Sequence, residues 1–454
     1  MPEVNEAGQE HGLRHQLTAG QMAMVAVGSS IGTGLLLGSG AAVQIAGPGV
    51  IISYLIGAFL AWTVANALGE LATAHPAAGS FGVYAELYLN RWASFVVRYA
   101  FWFAVAVAVG AELVAASTYS RYWFPSVPGV VWVAIYSAVL LLVNLGSVRN
   151  YGRFEYWFAM VKLVTIVIFV LIGAWLLFGS RVAPQYETNG GFLPNGPFSP
   201  LLAVSFALFS FLGVEMVAIS SGEAQSAAEI PRATKITFAL LAFVYVGATA
   251  VLVGIMPWNR AGVTQSPFVT VFEVAGIPAA SSVLNFVVLT AALSGANANL
   301  YASSRLFFSL ARAGYAPEAF GRLNHAGSPT WALVISGFGV PLAFVMEQWA
   351  PQSAFLVIIG ASLFGGMLGW CIALLAHIVF RRRLTPEQVA ALPMHTRGGS
   401  WASVVGFCGI ALVVASTWWV PQSRITITSG VPYLAILSVA YLVFRKRWQG
   451  TISK

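Results

Sequence analysis

Charged residues are scarce in this chain. They make up 8% of its 454 residues, while 58% are hydrophobic. A soluble domain carries about 25% charged residues, so the composition excludes a soluble globular protein and indicates an integral membrane protein. The first nineteen residues are polar and lack an apolar stretch, and we therefore expect no signal peptide.

Cysteine and histidine are also scarce. The two cysteines, Cys371 and Cys408, lie in apolar runs, where we expect small core residues rather than a disulfide framework. The six histidines form no HExxH motif and no clustered catalytic set. We therefore expect no enzyme, no metal site and no cofactor.

Twelve apolar runs are long enough to cross a bilayer as helices. Turn residues such as Pro48, Pro257, Pro329 and Pro421 separate them. The sequence therefore predicts an all-α protein with twelve transmembrane helices. The predicted spans are 21–43, 46–69, 94–122, 127–147, 154–178, 199–222, 236–256, 279–309, 331–348, 353–379, 401–420 and 428–445.

The basic residues are distributed unequally between the two sets of alternating loops. Of the 23 Lys and Arg, eighteen fall on the side of the N-terminus, four fall on the other side and one, Lys162, lies within a span. The positive-inside rule then predicts that both termini are cytoplasmic. Because the basic residues are scattered over many short loops, the net charge of +8 reflects topology and does not predict nucleic-acid binding.

A glycine cluster interrupts the first span. Residues 28–40 read GSSIGTGLLLGSG, and five of these thirteen residues are glycine, a poor helix former. Two interpretations are open at this point. The GxxxG spacings Gly28/Gly32 and Gly34/Gly38 suit close helix packing, whereas a discontinuous helix would expose backbone groups to a substrate at the membrane midplane.

A second interruption favours the discontinuous helix. Residues 205–224 read SFALFSFLGVEMVAISSGEA, in which Gly213 and Glu215 break the apolar run of the sixth span. Interrupted segments at corresponding positions of two halves point to a transporter site. We predict an inverted repeat of five plus five helices. The predicted division is an N-terminal segment 1–20, a first repeat 21–178, a second repeat 199–379, two peripheral helices 401–445 and a C-terminal tail 446–454.

The two breaks together predict a clamp for a zwitterion. A half-helix that starts near Thr33 and Gly34 points free N–H groups at the cavity, which suits a carboxylate. A half-helix that ends near Phe209 leaves carbonyl oxygens unpaired, which suits an ammonium group or a metal cation. An α-amino acid carries a negative and a positive charge only a few ångströms apart, so it could bind to both half-helices at once.

Three charged residues, Glu112, Lys162 and Glu215, lie well inside predicted spans. Each costs about 2.5–3.5 kcal/mol at a helix centre on insertion scales, and such residues are candidates for function. A buried ammonium can lose its proton near neutral pH, so Lys162 is a candidate proton carrier. Glu215 could instead stabilise its own half-helix, Glu112 could face the cavity or pair with Lys162, and all three could form a neutral structural set.

The chain resembles the amino acid–polyamine–organocation superfamily, and within it the bacterial amino acid transporter group of permeases. Seven motifs in the same order carry the resemblance. They are GSSIGTGLLLGSG at 28–40, GELATAHPAAGSF at 69–81, GAELVAAS at 110–117, YGRFEYWFAMVK at 151–162, FLGVEMVAISSGEA at 211–224 with IPRA at 230–233, SPFVTVFEVAGIP at 266–278 and SGANANLYASSRLFFSLARAGYAP at 294–317. The order of residues 294–299 and the stretch 380–400 depart from the pattern.

The resemblance implies roles for individual residues. The substrate carboxylate would bind backbone N–H groups of Thr33 and Gly34, and the amino group would meet the carbonyls of Ser30, Phe209 and Leu212, with the Phe209 ring as a gate. Lys162 would stand where sodium-coupled relatives of this fold bind a sodium ion, against the Ser303 and Ser304 region of span eight. The other residues that we assign to the substrate site are Ile31, Gly32 and Gly213.

We therefore predict a secondary active transporter in the inner membrane that takes up an L-amino acid with a proton by alternating access. The apolar or small residues Phe209, Leu212 and Ser205 favour a neutral or aromatic substrate. An amino acid or amine exchanger and a sodium-coupled symporter stay open as alternatives. A channel or sensor would need charged pore rings or a signalling domain, which the sequence lacks. We expect a monomer or a weak homodimer.

Overall fold

The structure, a computed structural model, describes residues 17–76, 80–145, 151–324 and 328–449. Residues 1–16 of the predicted N-terminal segment, residues 77–79 of the second motif and residues 450–454 of the predicted tail lie outside this part of the chain. Most of the described chain is helical. In chain order the α-helices are α1 (Ala19–Ser30), α2 (Thr33–Leu36), α3 (Gly38–Ala46), α4 (Val50–Ala74), α5 (Ser80–Tyr88), α6 (Arg91–Ser120), α7 (Gly129–Leu145), α8 (Tyr151–Phe178), α9 (Ser199–Phe211), α10 (Met216–Ile219), α11 (Glu229–Ile255), α12 (Pro267–Val274), α13 (Pro278–Arg312), α14 (Thr330–Ser336), α15 (Gly339–Trp349), α16 (Ala354–Arg383), α17 (Pro386–Ala390), α18 (Gly399–Ser416) and α19 (Ile425–Gln449).

Ten helical stretches in the described residues are long and apolar enough to cross a membrane, and Gly129–Asn144 is a shorter apolar helix. One of the ten, Gly38–Ala74, has 37 residues. It would be about 55 Å long as a straight helix, against a hydrocarbon core of about 30 Å. The 3-10 turn Gly47–Gly49, where Gly47 has φ +60°, divides it between two spans. The twelve predicted spans are thereby accounted for.

The boundaries differ from the prediction at several points. The helices α5, α12 and α17 lie in stretches that we expected to be loops. The ninth span is divided into α14 and α15, and the first span has a further kink at Leu37. The last helix continues to Gln449, so the beginning of the predicted tail 446–454 is helical.

Helix packing repeats with an offset of five spans. Spans one and two (α1 to α4) pack on spans six and seven (α9 to α11), and spans three and four (α6, α7) pack on spans eight and nine (α13 to α15). The fifth span, α8, packs on spans one, seven and eight, while the tenth, α16, packs on spans six, two and three. This correspondence is what a five-plus-five repeat requires, and the boundaries 21–178 and 199–379 stay a prediction.

The last two helices lie at the periphery. Only 22% of the apolar window of α18 and 11% of that of α19 is buried, and large apolar side chains such as Trp401 and Leu412 are exposed. Cys408 on α18 is exposed as well, so the expectation that both cysteines are core residues is wrong for Cys408. A bilayer supplies the apolar surroundings that these side chains need.

Both ends of the first span are held by hydrogen bonds. At the start of α1, Leu17 forms an isolated parallel β-bridge with Ala224, and the N–H of Ala19 donates to Glu229 Oε2 on α11 at 2.7 Å. Near the other end, Ser266 Oγ donates to the carbonyl of Leu36 at 2.7 Å. The first span is therefore hydrogen-bonded to the second half of the chain both at the start of α1 and at α2.

Glycine allows a close approach near the start of α3. A Cβ atom on Gly40 would lie 1.8 Å from the carbonyl oxygen of Gly262. Gln44 on the next turn donates from Nε2 to the carbonyl of Ala261 at 2.7 Å. The loop before α12 is therefore seated directly on α3, and no side chain larger than that of glycine fits at position 40.

A buried polar network joins α4, α16 and α18 on the side where α1 begins. Arg381 Nη2 donates to Glu70 Oε2 at 2.8 Å, and Arg381 Nε is paired with the other carboxylate oxygen. The backbone N–H of Thr396 donates to the same carboxylate at 2.6 Å. His377 lies 3.3 Å from Glu70 and bonds Ser403 at 2.8 Å. His377 is thus held in the network from both ring nitrogens.

The loop after α4 packs on this network. His75 Nε2 and Tyr88 Oη form a hydrogen bond of 2.5 Å, and Tyr84 donates to the carbonyl of His75 at 3.1 Å. Burial lowers the pKa of His75. Burial also raises the pKa of Tyr88, to about 12, although the positive charge of Arg383 lowers it. Both side chains are therefore uncharged near neutral pH, which suits their burial.

Candidate functional site

The first span is interrupted at Ile31 and Gly32. The helix α1 ends at Ser30 and α2 begins at Thr33, while the backbone between them is extended. The first three N–H groups of α2 have no carbonyl acceptor in the described backbone, and no described backbone N–H donates to the carbonyl of Ser30. Such groups are costly in a membrane unless they face a cavity or a ligand. The predicted discontinuous helix is confirmed.

The sixth span is interrupted between Phe211 and Met216. The helix α9 ends at Phe211, slightly beyond the predicted end near Phe209, and α10 begins at Met216. Gly213 lies between them with φ +120°, a conformation that side-chain-bearing residues rarely adopt. The carbonyl of Leu212 accepts no backbone N–H in the part of the chain that the structure describes.

The two breaks lie directly against each other. A Cβ atom on Gly213 would be 2.4 Å from Ser30 Oγ and 2.8 Å from its backbone nitrogen. On the other side of the crossing, a Cβ atom on Gly34 would be 2.7 Å from the Phe209 ring and 3.1 Å from the Cα of Ser210. Gly34 therefore serves close packing in addition to the break. The start of α2 and the end of α9 are therefore in direct contact.

Lys162 holds the end of α1. Its side chain on α8 is 2% exposed, and Nζ donates to the carbonyl of Gly28 at 3.3 Å. In a continuous helix this carbonyl would accept the N–H of Gly32, but the break removes that partner. An ammonium group at the C-terminal end of a helix is also favoured by the helix dipole. The hydroxyls of Ser303 and Ser304 donate to carbonyls of their own helix.

Glu112 lies at the break itself. Its carboxylate on α6 would be 3.0 Å from a Cβ atom on Gly32 and 2.9 Å from one on Gly295 of α13. It faces the hydroxyl and the backbone N–H of Thr33, and the positive charge of Lys162 acts on it. Neither Glu112 Oε2 nor Thr33 Oγ1 completes a hydrogen bond of normal geometry, although both atoms are buried. Glu112 thus lies beside the break and within the influence of the positive charge of Lys162.

Glu215 has local partners. Its Oε2 accepts the backbone N–H of Gly213 at 2.9 Å and the indole N–H of Trp370 at 3.3 Å. The side chain is 2% exposed. These contacts stabilise the unwound segment of the sixth span, which agrees with the structural alternative for this residue.

Several residues at the site were not found from the sequence. Trp370 and Gly366 on α16 contact Glu215 and Leu212, respectively, and Gly295 on α13 makes room for Glu112. None of them belongs to a local pattern that signals such a role. Phe209 and Leu212 are partly exposed, unlike the fully buried Phe211 between them, and their assignment to the substrate site stays a prediction.

The chemistry of this site is that of a membrane transporter. Unpaired N–H groups at one half-helix and unpaired carbonyls at the other can bind opposite charges of one small solute. The His, Cys, Asp and Glu residues of the described chain form no group that could hold a metal ion. Broken helices that cross at the centre of an offset-by-five helix bundle are the arrangement of secondary transporters.

Comparison with known proteins agrees with this class. The amino acid permease family model matches residues 21–454, and the chain belongs to this family. The gamma-aminobutyric acid permease of Bacillus subtilis is 34% identical in an alignment of 454 positions that covers 96% of this chain and 95% of that protein. The aromatic amino acid transport protein AroP of Escherichia coli K12 is also 34% identical, with 97% and 98% covered. The protein is therefore a multi-pass membrane transporter of the amino acid permease family and not an enzyme.

Proposed function

We propose that the protein is a proton-coupled symporter that imports an L-amino acid across the bacterial inner membrane by alternating access. Both termini would be cytoplasmic, as the distribution of Lys and Arg predicts. We further propose that it acts as a monomer or a weak homodimer. The observation that carries the proposal is the direct crossing of the two breaks, Ser30 on Gly213 and Gly34 on Phe209.

The crossing supports a zwitterionic substrate. The N–H groups at Thr33 and Gly34 would bind the carboxylate, and the carbonyls of Ser30, Phe209 and Leu212 would bind the amino group. Phe209 accepts one weak backbone bond, from Leu212 N–H at 3.3 Å, and its carbonyl has a second lone pair available. An amine without a carboxylate, or a carboxylic acid without an amine, would satisfy only half of these groups and would bind less tightly.

Lys162 supports proton coupling. A charge-assisted hydrogen bond of the kind that it makes to Gly28 contributes about 1.5–3 kcal/mol. Loss of the proton would weaken this bond and release the end of α1. We propose that protonation of Lys162 holds α1 in place and that deprotonation allows it to move. Glu112 is a second candidate for proton coupling because it faces both the break and Lys162, whereas the contacts of Glu215 favour a supporting role.

Neutral or aromatic amino acids are the substrates that we favour. The side chains of Phe209 and Leu212 are apolar and partly exposed, and Ser205 lies one turn before Phe209. One relative is named as an aromatic amino acid transporter and another as a permease for gamma-aminobutyric acid. Gamma-aminobutyric acid is also a zwitterion, so both names agree with a clamp that binds an ammonium and a carboxylate.

Replacement of Lys162 tests the coupling. In proteoliposomes we expect Lys162→Ala to abolish accumulation of a transported amino acid under an inward proton gradient. We expect Lys235→Ala, which changes an exposed lysine on α11, to behave as the wild type. Gradient-independent uptake at the wild-type rate by Lys162→Ala would refute the role of Lys162. Accumulation that needs only preloaded amino acid would favour the exchanger, and accumulation that needs sodium would favour the sodium-coupled symporter.

A further inference from the structure

Glu112 places a carboxylate where the proposed function places the carboxylate of the substrate. The side chain reaches the start of α2 through the space left by two glycines, Gly32 and Gly295, because a Cβ atom on either would lie 2.9–3.0 Å from the carboxylate. Its immediate neighbour on α2 is Thr33, through the hydroxyl and the backbone N–H. Thr33 is one of the two residues whose N–H groups we assign to the substrate.

The contact between Glu112 and Thr33 is incomplete. Glu112 is 6% exposed and Thr33 is fully buried. Glu112 lies against the Thr33 hydroxyl and N–H, but no hydrogen bond to Glu112 Oε2 or Thr33 Oγ1 reaches normal geometry. Buried polar atoms in native proteins nearly always have a partner. The Thr33 hydroxyl and the N–H groups of α2 can donate hydrogen bonds to an anionic group, whereas Glu112 Oε2 can do so only in the protonated form.

Two ionised carboxylates cannot share this position at low cost. Like charges at close range in a buried site force one group to take up a proton. The charged and titratable groups that face Glu112 are Lys162 from α8 and Tyr119 from its own helix α6, while α13 presents Gly295. Lys162 donates to the carbonyl of Gly28, so its charge is already shared with the end of α1.

We propose that Glu112 occupies the substrate-carboxylate position in the empty transporter and yields it only as the neutral acid, so that each substrate carboxylate binds together with one proton on Glu112. This inference rests on the proposed function and assigns the proton that accompanies substrate binding to Glu112. Lys162 would then control the movement of α1 after binding. The neutral acid would also be able to donate a hydrogen bond to the substrate carboxylate.

The test is a binding measurement without a membrane gradient. The dissociation constant of a transported amino acid is measured in detergent as a function of pH. For the wild type we expect the dissociation constant to rise by up to about tenfold per pH unit on the alkaline side, because one proton binds with each substrate. For Glu112→Gln we expect a dissociation constant that no longer depends on pH and equals the wild-type value at low pH.

A matched control is available in Glu347→Gln. Glu347 is 7% exposed on α15 and accepts a hydrogen bond from Ser117 Oγ at 3.3 Å, and it has no part in the proposed site. We expect this variant to retain the wild-type pH dependence. In the infrared difference spectrum between substrate-bound and empty protein, we expect a band of a newly protonated carboxylic acid in the wild type and in Glu347→Gln, and none in Glu112→Gln.

Three results would overturn the inference. The first is an unchanged pH dependence in Glu112→Gln. The second is loss of binding at every pH in Glu112→Gln with recovery in Glu112→Asp, which would show that the ionised carboxylate binds the amino group of the substrate. The third is a protonation band that persists in Glu112→Gln. If the wild type binds no amino acid at all, the proposed function fails, and the inference fails with it.

Discussion

Gly213→Ala is the substitution that probes the crossing of the two breaks most sharply. Gly213 has φ +120°, and holding a side-chain-bearing residue in such a region costs about 1–3 kcal/mol. The added methyl group would also lie 2.4 Å from Ser30 Oγ and 2.8 Å from its backbone nitrogen. Overpacking of this kind costs about 1–3 kcal/mol more. The expected loss of stability is about 2–6 kcal/mol.

Two other glycines separate these costs. Gly276 has φ +75° with nothing within 4 Å of an added Cβ atom, so Gly276→Ala carries the backbone cost alone. Gly20 lies in the first turn of α1 with nothing within 4 Å, so Gly20→Ala carries neither cost and gains helix propensity. In thermal unfolding in one detergent, we expect the lowest midpoint for Gly213→Ala, an intermediate one for Gly276→Ala and the wild-type value or higher for Gly20→Ala.

Uptake by the same variants gives the second readout. Because a methyl group at position 213 pushes Ser30 away from the sixth span, we expect Gly213→Ala to lose transport even at a temperature at which it stays folded. Gly20→Ala and Gly276→Ala should transport as the wild type does. The direct contact between the two breaks would be refuted if Gly213→Ala had the same unfolding midpoint as Gly20→Ala and transported at the wild-type rate.

Two further predictions concern the ends of the helix bundle. Arg381→Ala should destabilise the protein by about 3–5 kcal/mol, because it leaves the buried carboxylate of Glu70 without its paired charge. The double variant Arg381→Ala/Glu70→Ala should recover part of this loss. Equal unfolding midpoints for the single and the double variant would contradict the pairing. Gly40→Ala should weaken closure of α3 on the loop at Gly262 by about 1–3 kcal/mol and slow uptake, whereas Gly20→Ala should not.

Much of the architecture was predictable because a bilayer imposes it. Twelve apolar runs gave twelve spans, since the hydrocarbon thickness fixes the length of a crossing helix. The breaks were predictable because glycine clusters are rare signals within such runs, and both GSSIGTGLLLGSG and FLGVEM mark helix interruptions in the structure. The short helices α5 and α12 were missed because they are shorter than a membrane span and follow no apolar run of that length.

The contacts of the site were not predictable from local patterns. The partners of Glu215 are Gly213, two residues away, and Trp370, which lies on the tenth span. Nothing in the sequence near Glu112 indicates that Gly295 would make room for it. The pairing of these residues depends on how distant helices cross, and periodicity within one helix carries no information about that.

The central claim is that the two crossed breaks bind and carry a zwitterionic amino acid. The most direct test is uptake of a panel of labelled amino acids by proteoliposomes of the purified protein in sodium-free buffer, with and without an inward proton gradient. We predict that one group of neutral or aromatic amino acids accumulates and that accumulation requires the gradient. Uptake of no amino acid in the panel would contradict the zwitterion clamp formed at Thr33, Gly34, Phe209 and Leu212.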